Sequence, residues 1–126
     1  MASILVIDDN EPVRGFLRAV LERQGHTVRE AGQGRSAVQG LRTSPVDLVL
    51  TDIYMPDCDG LEVIMMLRRD FPSIRIVAMS GGSGDRNLLI VARQLGAQEV
   101  LEKPINVEDL MRTVTTALND QADRSR

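Results

Sequence analysis

The stretch ILVIDD, residues 4–9, is a run of four aliphatic side chains that stops at two adjacent carboxylates. An uninterrupted aliphatic run of this length is typical of a strand that is covered on both faces, as in a parallel sheet. Two like charges side by side at the end of a buried strand repel each other, so a cation is expected beside them. The stretch therefore predicts both a parallel sheet and a charged site at its edge.

Apolar runs of the same kind alternate with helical periods along the rest of the chain. Further strands are predicted at residues 27–31, 48–50, 74–79 and 99–101. Helices are predicted from residue 13 to the region of Gly25 and over residues 34–43, 60–70, 85–95 and 107–118, with Asn106 as the N-cap of the last. This alternation predicts an α/β fold in which five helices cover both faces of a five-stranded parallel sheet.

The composition is that of one folded domain. The chain has 126 residues, 43% of them hydrophobic and 26% charged, which suits a single core over residues 1–120 and a flexible tail over residues 121–126. The net charge is −3 and the basic residues are scattered, so direct binding of nucleic acid is not expected. A single Cys, no signal peptide and no apolar run of about 20 residues predict a cytoplasmic protein without a membrane span.

Polar side chains are expected to meet at one edge of this sheet, because the carboxyl ends of parallel strands lie together there. The predicted strands bring Asp8, Asp9, Asp52, Ser80 and Lys103 to that edge. Clustered carboxylates need a neutralising cation, and oxygen ligands of this kind favour Mg²⁺. Beside such a metal, Asp52 is the expected nucleophile toward phosphorus, and Lys103 and Ser80 are expected to hold phosphoryl oxygens.

These residues lie in motifs that resemble the receiver domains of response regulators in two-component signalling. The motifs are VIDDNE, LVLTDIYMPDCDG, VAMSGG and LGAQEVLEKPI, and the resemblance runs from residue 4 to about residue 118. It implies a flavodoxin-like, doubly wound sheet with the strand order 2-1-3-4-5. It also implies that Asp52 accepts a phosphoryl group from a sensor histidine kinase or a phosphotransfer protein.

The resemblance implies further roles around the acceptor. Asp9, Asp52 and the backbone carbonyl of Tyr54 are implied to contact Mg²⁺ directly, while Asp8 acts largely through water. A cis peptide bond is implied before Pro104, which agrees with the near restriction of cis bonds to prolines.

The predicted fourth helix carries the consecutive apolar residues Leu88, Leu89, Ile90 and Val91. One helix face cannot bury them all, so either the helix is deeply packed or part of the run is exposed. In receivers, the face formed by the fourth helix, fifth strand and fifth helix is a common partner surface. The run is therefore predicted to bind a downstream protein there, or a second copy of the chain after phosphorylation.

One position departs from the family pattern. Three residues before Lys103, where receivers usually carry an aromatic ring that moves on phosphorylation, this chain has Val100. The switch is therefore expected to use the backbone of the glycine-rich loop around Gly82. Tyr54 and Gly82, which lie two positions after the acceptor and the hydroxyl residue, are expected to tune the lifetime of the phosphoryl group.

Other functions stay open from the sequence. A Mg²⁺-dependent phosphohydrolase would also use an aspartyl phosphate, but Tyr54 stands where such enzymes usually carry a second acid. A degenerate receiver would act only as a docking module. A flavin-binding relative of flavodoxin is disfavoured, because the first turn is DDNEP rather than a loop of Ser, Thr and Gly. The prediction is a signalling domain without independent substrate turnover.

Overall fold

The structure is a computed structural model, and it describes residues 1–54, 60–81 and 86–119. Strands and helices alternate along these residues. The strands are β1 (Ser3–Ile7), β2 (Thr27–Ala31), β3 (Leu48–Asp52), β4 (Arg75–Ser80) and β5 (Glu99–Glu102). The helices are α1 (Glu11–Arg23), α2 (Gly34–Gly40), α3 (Gly60–Asp70), α4 (Arg86–Leu95) and α5 (Val107–Asn119).

All five strands run parallel in one sheet, in the order β2-β1-β3-β4-β5. This confirms the predicted fold class and strand order. The order reverses between β1 and β3, and the crevice beyond their carboxyl ends is where folds of this type place a site. Because Ile7 of β1 pairs with Thr51 of β3, the residues that follow each of them reach the same level of the sheet.

The helices cover both faces of the sheet, as predicted. One face packs against α2, α3 and α4, and the other packs against α1 and α5. In β1, Leu5 and Ile7 face the first group of helices while Ile4 and Val6 face the second. The aliphatic run is therefore a strand buried on both sides. In the part of the chain that the structure describes, no helix is long and apolar enough to cross a membrane.

The predicted bounds are close to the observed ones, and α2 differs most. It was expected to reach residue 43, but it ends at Gly40, and Leu41 turns inward and is buried. The regular helix ends here because Gly40 has a poor helix propensity, and the Leu41 N–H donates to the carbonyl three residues earlier rather than four. The N-cap at Asn106 is confirmed, because its Oδ1 accepts a hydrogen bond from the Asp109 N–H at 2.7 Å. The predicted tail, residues 121–126, lies outside the described residues.

The predicted partner surface on α4 needs one correction. Leu89 is only 5% exposed and packs in the core, so its assignment to that surface is wrong. Leu89 and Ala92 are three residues apart and share the inward face of the helix. Ile90 and Val91 are 56% and 36% exposed and do lie outside, while Leu88 is half-buried.

Gly60 begins α3 directly against the end of β3. Its N–H donates to the Ile53 carbonyl at 2.6 Å. A Cβ at this position would lie 2.2 Å from the Asp52 carbonyl oxygen and 2.6 Å from the Ile53 Cα. Both are backbone atoms that cannot rotate away, so only glycine lets α3 approach the strand this closely.

We expect Gly60→Ala to lower the free energy of unfolding by about 3 kcal/mol or more, because the backbone of β3 must move to relieve the overlap. Gly15→Ala in α1 is the matched control, since a Cβ there would meet no atom within 4 Å. Its better helix propensity should raise the free energy of unfolding by about 0.5–1 kcal/mol. Urea denaturation measures both, and equal stabilities of the two variants would contradict the expectation.

Candidate functional site

The structure brings the predicted polar residues to one edge of the sheet. Asp8 and Asp9 follow β1, Asp52 ends β3, Ser80 ends β4 and Lys103 follows β5. One carboxylate oxygen from each of the three aspartates lies within 4.8 Å of the other two. Side chains from distant segments of the chain therefore form one acidic cluster, at the place that the parallel sheet predicts.

Lys103 neutralises much of this cluster. Its Nζ donates to Asp8 Oδ2 at 2.8 Å and to Asp52 Oδ2 at 3.3 Å. Asp8 is fully buried and Asp52 nearly so, which makes a neighbouring cation necessary if both are ionised. Lys103 is the only lysine in the chain. Its compact ammonium group carries three donors on a flexible stem, so it can bond to both carboxylates from one position.

Burial affects the protonation of both partners. It is the largest influence on the Asp52 carboxyl group and raises its pKa above the ordinary value; the Asp8 charge adds to the rise and Lys103 opposes it. Burial by itself lowers the pKa of Lys103, but the hydrogen bonds and charges of Asp8 and Asp52 outweigh it and hold this pKa above the ordinary value. The charge of Asp52 is thus only partly compensated, which favours a second cation at this edge.

Asp8 is fixed through both its backbone and its side chain. Its Oδ1 accepts from the Asn10 N–H at 2.9 Å, and its own N–H donates to the Ala31 carbonyl at 3.1 Å. Its carbonyl accepts from Arg14 Nη1 at 2.6 Å. No sequence pattern singled out Arg14, because one arginine in an amphipathic helix has the pattern of an ordinary solvated residue.

Ser80 is the last residue of β4, and its side chain carries a buried hydroxyl group. The residue is fully buried, and among the described residues its Oγ has no hydrogen-bond partner. A buried hydroxyl without a partner is costly, so this atom is suited to a partner that arrives from outside the chain. The Ser80 carbonyl accepts from the Lys103 N–H at 2.8 Å, which ties the ends of β4 and β5 together.

The donor set fits Mg²⁺. Oxygen ligands around an octahedral Mg²⁺ lie about 3–4 Å from one another. Carboxylate oxygens of Asp8, Asp9 and Asp52 within 4.8 Å of each other need only small rotations to share one ion. Tyr54, whose carbonyl is the other expected ligand, is close by, because its N–H donates to Asp52 Oδ1 at 3.4 Å. These are the hard oxygen ligands that Mg²⁺ prefers.

The residues predicted to tune the switch differ in their exposure and packing. Tyr54 is 54% exposed and lies two residues after the end of β3. Val100 is half-buried in β5 and packs against the core on the α4 side of the sheet. The peptide bond between Lys103 and Pro104 is cis, as the resemblance implies. Gly82 lies outside the described residues.

We expect Lys103→Met to lower the free energy of unfolding by about 2 kcal/mol in metal-free buffer, because two buried carboxylates lose their cation. The partial exposure of Lys103 keeps this effect below that of a fully buried pair. Urea denaturation with a chelator measures it, and adding Asp8→Asn should recover part of the loss. Arg112→Met removes an exposed ion pair of α5 and is the control. A loss no larger than that of the control would contradict the expectation.

Comparison with known proteins places this site in a family. The family model of the response regulator receiver domain matches residues 4–115. The DNA-binding transcriptional regulator NtrC of Azospirillum brasilense is 37% identical over 121 residues, which cover 94% of this chain and 24% of that protein. Protein PilH of Pseudomonas aeruginosa is 32% identical over 119 residues, which cover 94% of this chain and 98% of that protein.

A solved structure agrees with these relatives. The beryllofluoride-activated NtrC4 receiver domain dimer matches with a TM-score of 0.88 and 29% identity, over 94% of this chain and 98% of that one. The chain spans about a quarter of NtrC (24%) and nearly all of PilH (98%), so the receiver is the part that they share. This chain belongs to the response regulator receiver domain family, the signalling domain of two-component systems.

Proposed function

We propose that this receiver accepts a phosphoryl group onto Asp52 from the phosphohistidine of a sensor histidine kinase or a phosphotransfer protein, in a reaction that requires Mg²⁺. One observation carries the proposal. The Asp52 carboxylate lies within 4.8 Å of the Asp8 and Asp9 carboxylates and 3.3 Å from Lys103 Nζ. A nucleophile, metal ligands and a cation in one crevice are the parts that phosphoryl transfer needs.

In the proposed reaction, a bond forms from an Asp52 carboxylate oxygen to phosphorus while the phosphorus–nitrogen bond to the donor imidazole breaks. The Tyr54 N–H at Oδ1 and Lys103 Nζ at Oδ2 orient the nucleophile. Mg²⁺, held by Asp9, Asp52 and the Tyr54 carbonyl with Asp8 acting through water, would supply positive charge to the phosphoryl oxygens. Lys103, on its flexible stem, is close enough to the acceptor to contact a phosphoryl oxygen as well.

Ser80 is proposed to donate its hydroxyl to another phosphoryl oxygen. Its buried Oγ lacks a partner among the described residues, and Asp52 pairs with Met79, the residue just before it. A phosphoryl group would give this hydroxyl an acceptor and draw the end of β4 toward Asp52. The loop that begins there would then carry the switch, because Val100 has no ring to move.

The output surface is proposed to lie on the face of α4, β5 and α5. Ile90 and Val91 are exposed on α4, and apolar side chains on a helix surface are suited to a protein partner. The partner is a downstream protein or a second copy of the chain. The description of the NtrC4 receiver as an activated dimer supports a homodimer that forms on phosphorylation.

The relatives of this domain differ in length. PilH is about as long as this chain, whereas NtrC is much longer. We propose that the receiver acts in the cytoplasm, either as a stand-alone protein or as the receiver of a larger regulator or hybrid kinase. A phosphohydrolase is less well supported, because an exposed tyrosine two residues after the acceptor does not supply a carboxylic general acid.

Acetyl phosphate with Mg²⁺ is expected to add the mass of one phosphoryl group to the wild-type protein and none to Asp52→Asn, as measured by intact-mass spectrometry. Asparagine keeps the shape of the acceptor but lacks its nucleophilic oxygen pair. Because burial raises the pKa of Asp52 above its ordinary value, ionisation of this carboxyl group lowers the free energy of unfolding. The neutral amide should therefore not lower the free energy of unfolding.

Two controls accompany this experiment. Asp70→Asn changes a carboxylate at the far end of α3 and should be labelled like the wild type. Omission of Mg²⁺ should abolish labelling of every variant. Labelling that survives Asp52→Asn would refute the acceptor assignment, and continuous release of phosphate from a phosphomonoester would favour the phosphohydrolase instead.

Asp9→Ala is expected to weaken Mg²⁺ binding by at least about tenfold, since it removes a direct carboxylate ligand. In metal-free buffer it should leave the free energy of unfolding equal or higher, because one of three crowded negative charges is gone. Titration calorimetry and urea denaturation measure the two effects. Glu11→Ala, an exposed carboxylate two residues away and outside the cluster, is the control. Unchanged Mg²⁺ affinity of Asp9→Ala would remove Asp9 from the ligand set.

A further inference from the structure

Arg14 lies on α1, outside the set of residues that the proposed reaction uses. We propose that Arg14 is a positioning residue for the metal site: it fixes the peptide group that joins Asp8 to Asp9 and so sets where the Asp9 carboxylate lies. The inference rests on the proposed function, because it concerns the same Mg²⁺ site.

The contact that carries this inference is a short hydrogen bond from helix to loop. Arg14 Nη1 donates to the Asp8 carbonyl oxygen at 2.6 Å, and only 16% of the Arg14 side chain is exposed. A charged donor makes a stronger hydrogen bond to a carbonyl than a neutral one does. Three other bonds hold the rest of Asp8: its N–H donates to the Ala31 carbonyl, and its carboxylate accepts from the Asn10 N–H and from Lys103 Nζ.

The Asp8 carbonyl matters for Asp9 because a peptide group is planar. The carbonyl oxygen of Asp8 and the nitrogen and Cα of Asp9 lie in one rigid plane, so a bond to that oxygen fixes where the Asp9 side chain begins. Asp9 is exposed, and none of the hydrogen bonds between described residues involves its carboxylate. The position of the Cα from which this carboxylate extends is therefore set by the backbone that Arg14 holds.

Arg14 is itself held in place by β2. Its Nε donates to Glu30 Oε1 at 3.3 Å, while Glu30 Oε2 accepts from Arg18 Nη1 at 3.2 Å. A Cβ on Gly32 would lie 3.2 Å from Arg14 Nη1, so the segment after β2 packs closely against the guanidinium group. The start of α1, the end of β2 and the acidic loop after β1 are thus joined through one side chain.

Arg14 affects a bound cation in two ways that have opposite signs. Its positive charge repels Mg²⁺, so its removal would tighten Mg²⁺ binding if charge were the main effect. Glu30 pairs with Arg14 and offsets that repulsion. The bond to the Asp8 carbonyl acts on geometry, and its loss should weaken Mg²⁺ binding. The direction of the change therefore separates positioning from simple electrostatics.

The test compares Arg14→Met with Arg18→Met. Methionine keeps much of the apolar stem and removes the donors. Arg18 shares Glu30 as a partner and also pairs with Glu22, but within the described part of the chain it makes no bond to Asp8, so it is the matched control. Titration calorimetry is expected to show Mg²⁺ affinity about tenfold weaker in Arg14→Met and unchanged in Arg18→Met. Arg14→Lys keeps one charged donor and should recover part of the lost affinity.

A metal-free measurement tests the same inference independently. The Asn10 amide, which donates to Asp8 Oδ1, reports on the order of the acidic loop. We expect its hydrogen exchange to be several-fold faster in Arg14→Met than in Arg18→Met, because only the former releases the Asp8 carbonyl. Urea denaturation should show that both variants stay folded; both lose an ion pair with Glu30, and Arg14→Met is expected to be the less stable because it also loses the bond to the Asp8 carbonyl.

The outcomes distinguish this inference from the proposed function. Equal or tighter Mg²⁺ binding by Arg14→Met would overturn it, and so would equal exchange of the Asn10 amide in the two variants. If the wild-type protein itself binds no Mg²⁺, the proposed function fails. The exchange rate of the Asn10 amide then still decides whether Arg14 orders the acidic loop.

Discussion

The ion pairs of Lys103 with Asp8 and Asp52 are the interaction on which the rest of the site depends. Two carboxylates that are withdrawn from water cannot both be ionised in a stable fold unless a cation lies between them. Lys103 Nζ supplies that cation at 2.8 and 3.3 Å, although 95 residues separate it from Asp8 in the chain. The ends of β1, β3 and β5 are thereby tied together at the edge of the sheet where the proposed chemistry takes place.

The same arrangement of charged and polar side chains is suited to a site that alternates between an unphosphorylated and a phosphorylated form. In the structure, Lys103 neutralises part of the acidic cluster, while Asp9 is exposed and the Ser80 hydroxyl lacks a partner among the described residues. A phosphoryl group on Asp52 would bring oxygen acceptors for both Lys103 and Ser80. Contacts that stabilise the unphosphorylated fold would then be exchanged for contacts to the phosphoryl group, and such an exchange is the basis of a two-state switch.

Support for the site comes from both flanking helices. On one side, the missing side chain of Gly60 lets α3 begin against the carbonyl of Asp52, the proposed acceptor. On the other side, α1 reaches the acidic loop through the Arg14 bond to the Asp8 carbonyl. Neither residue is expected to touch a phosphoryl group, yet each limits how far the backbone of a strand end can move. A site made of strand ends needs such restraints, because the strands themselves stop where the functional residues begin.

The residue pattern predicted the fold class and the residues at the carboxyl edge of the sheet, whereas the strand order was implied by the resemblance to receiver domains. Continuous aliphatic runs specify buried parallel strands, and the topology of such strands brings their following residues together. The N-cap of α5 could also be predicted from the sequence, because the Asn106 side chain bonds to an N–H within the first turn of the helix. These features are local, or they follow from rules that hold for every sheet of this kind.

Only the three-dimensional structure shows which side chains are in contact. Leu89 faces the core, whereas Ile90 and Val91 are exposed, and a run of apolar residues does not by itself show which of them face the sheet. The structure also shows one lysine between two carboxylates and one arginine bonded to a backbone carbonyl. Contacts of this kind join residues far apart in the chain, and their geometry is fixed by packing, which no short stretch of sequence contains.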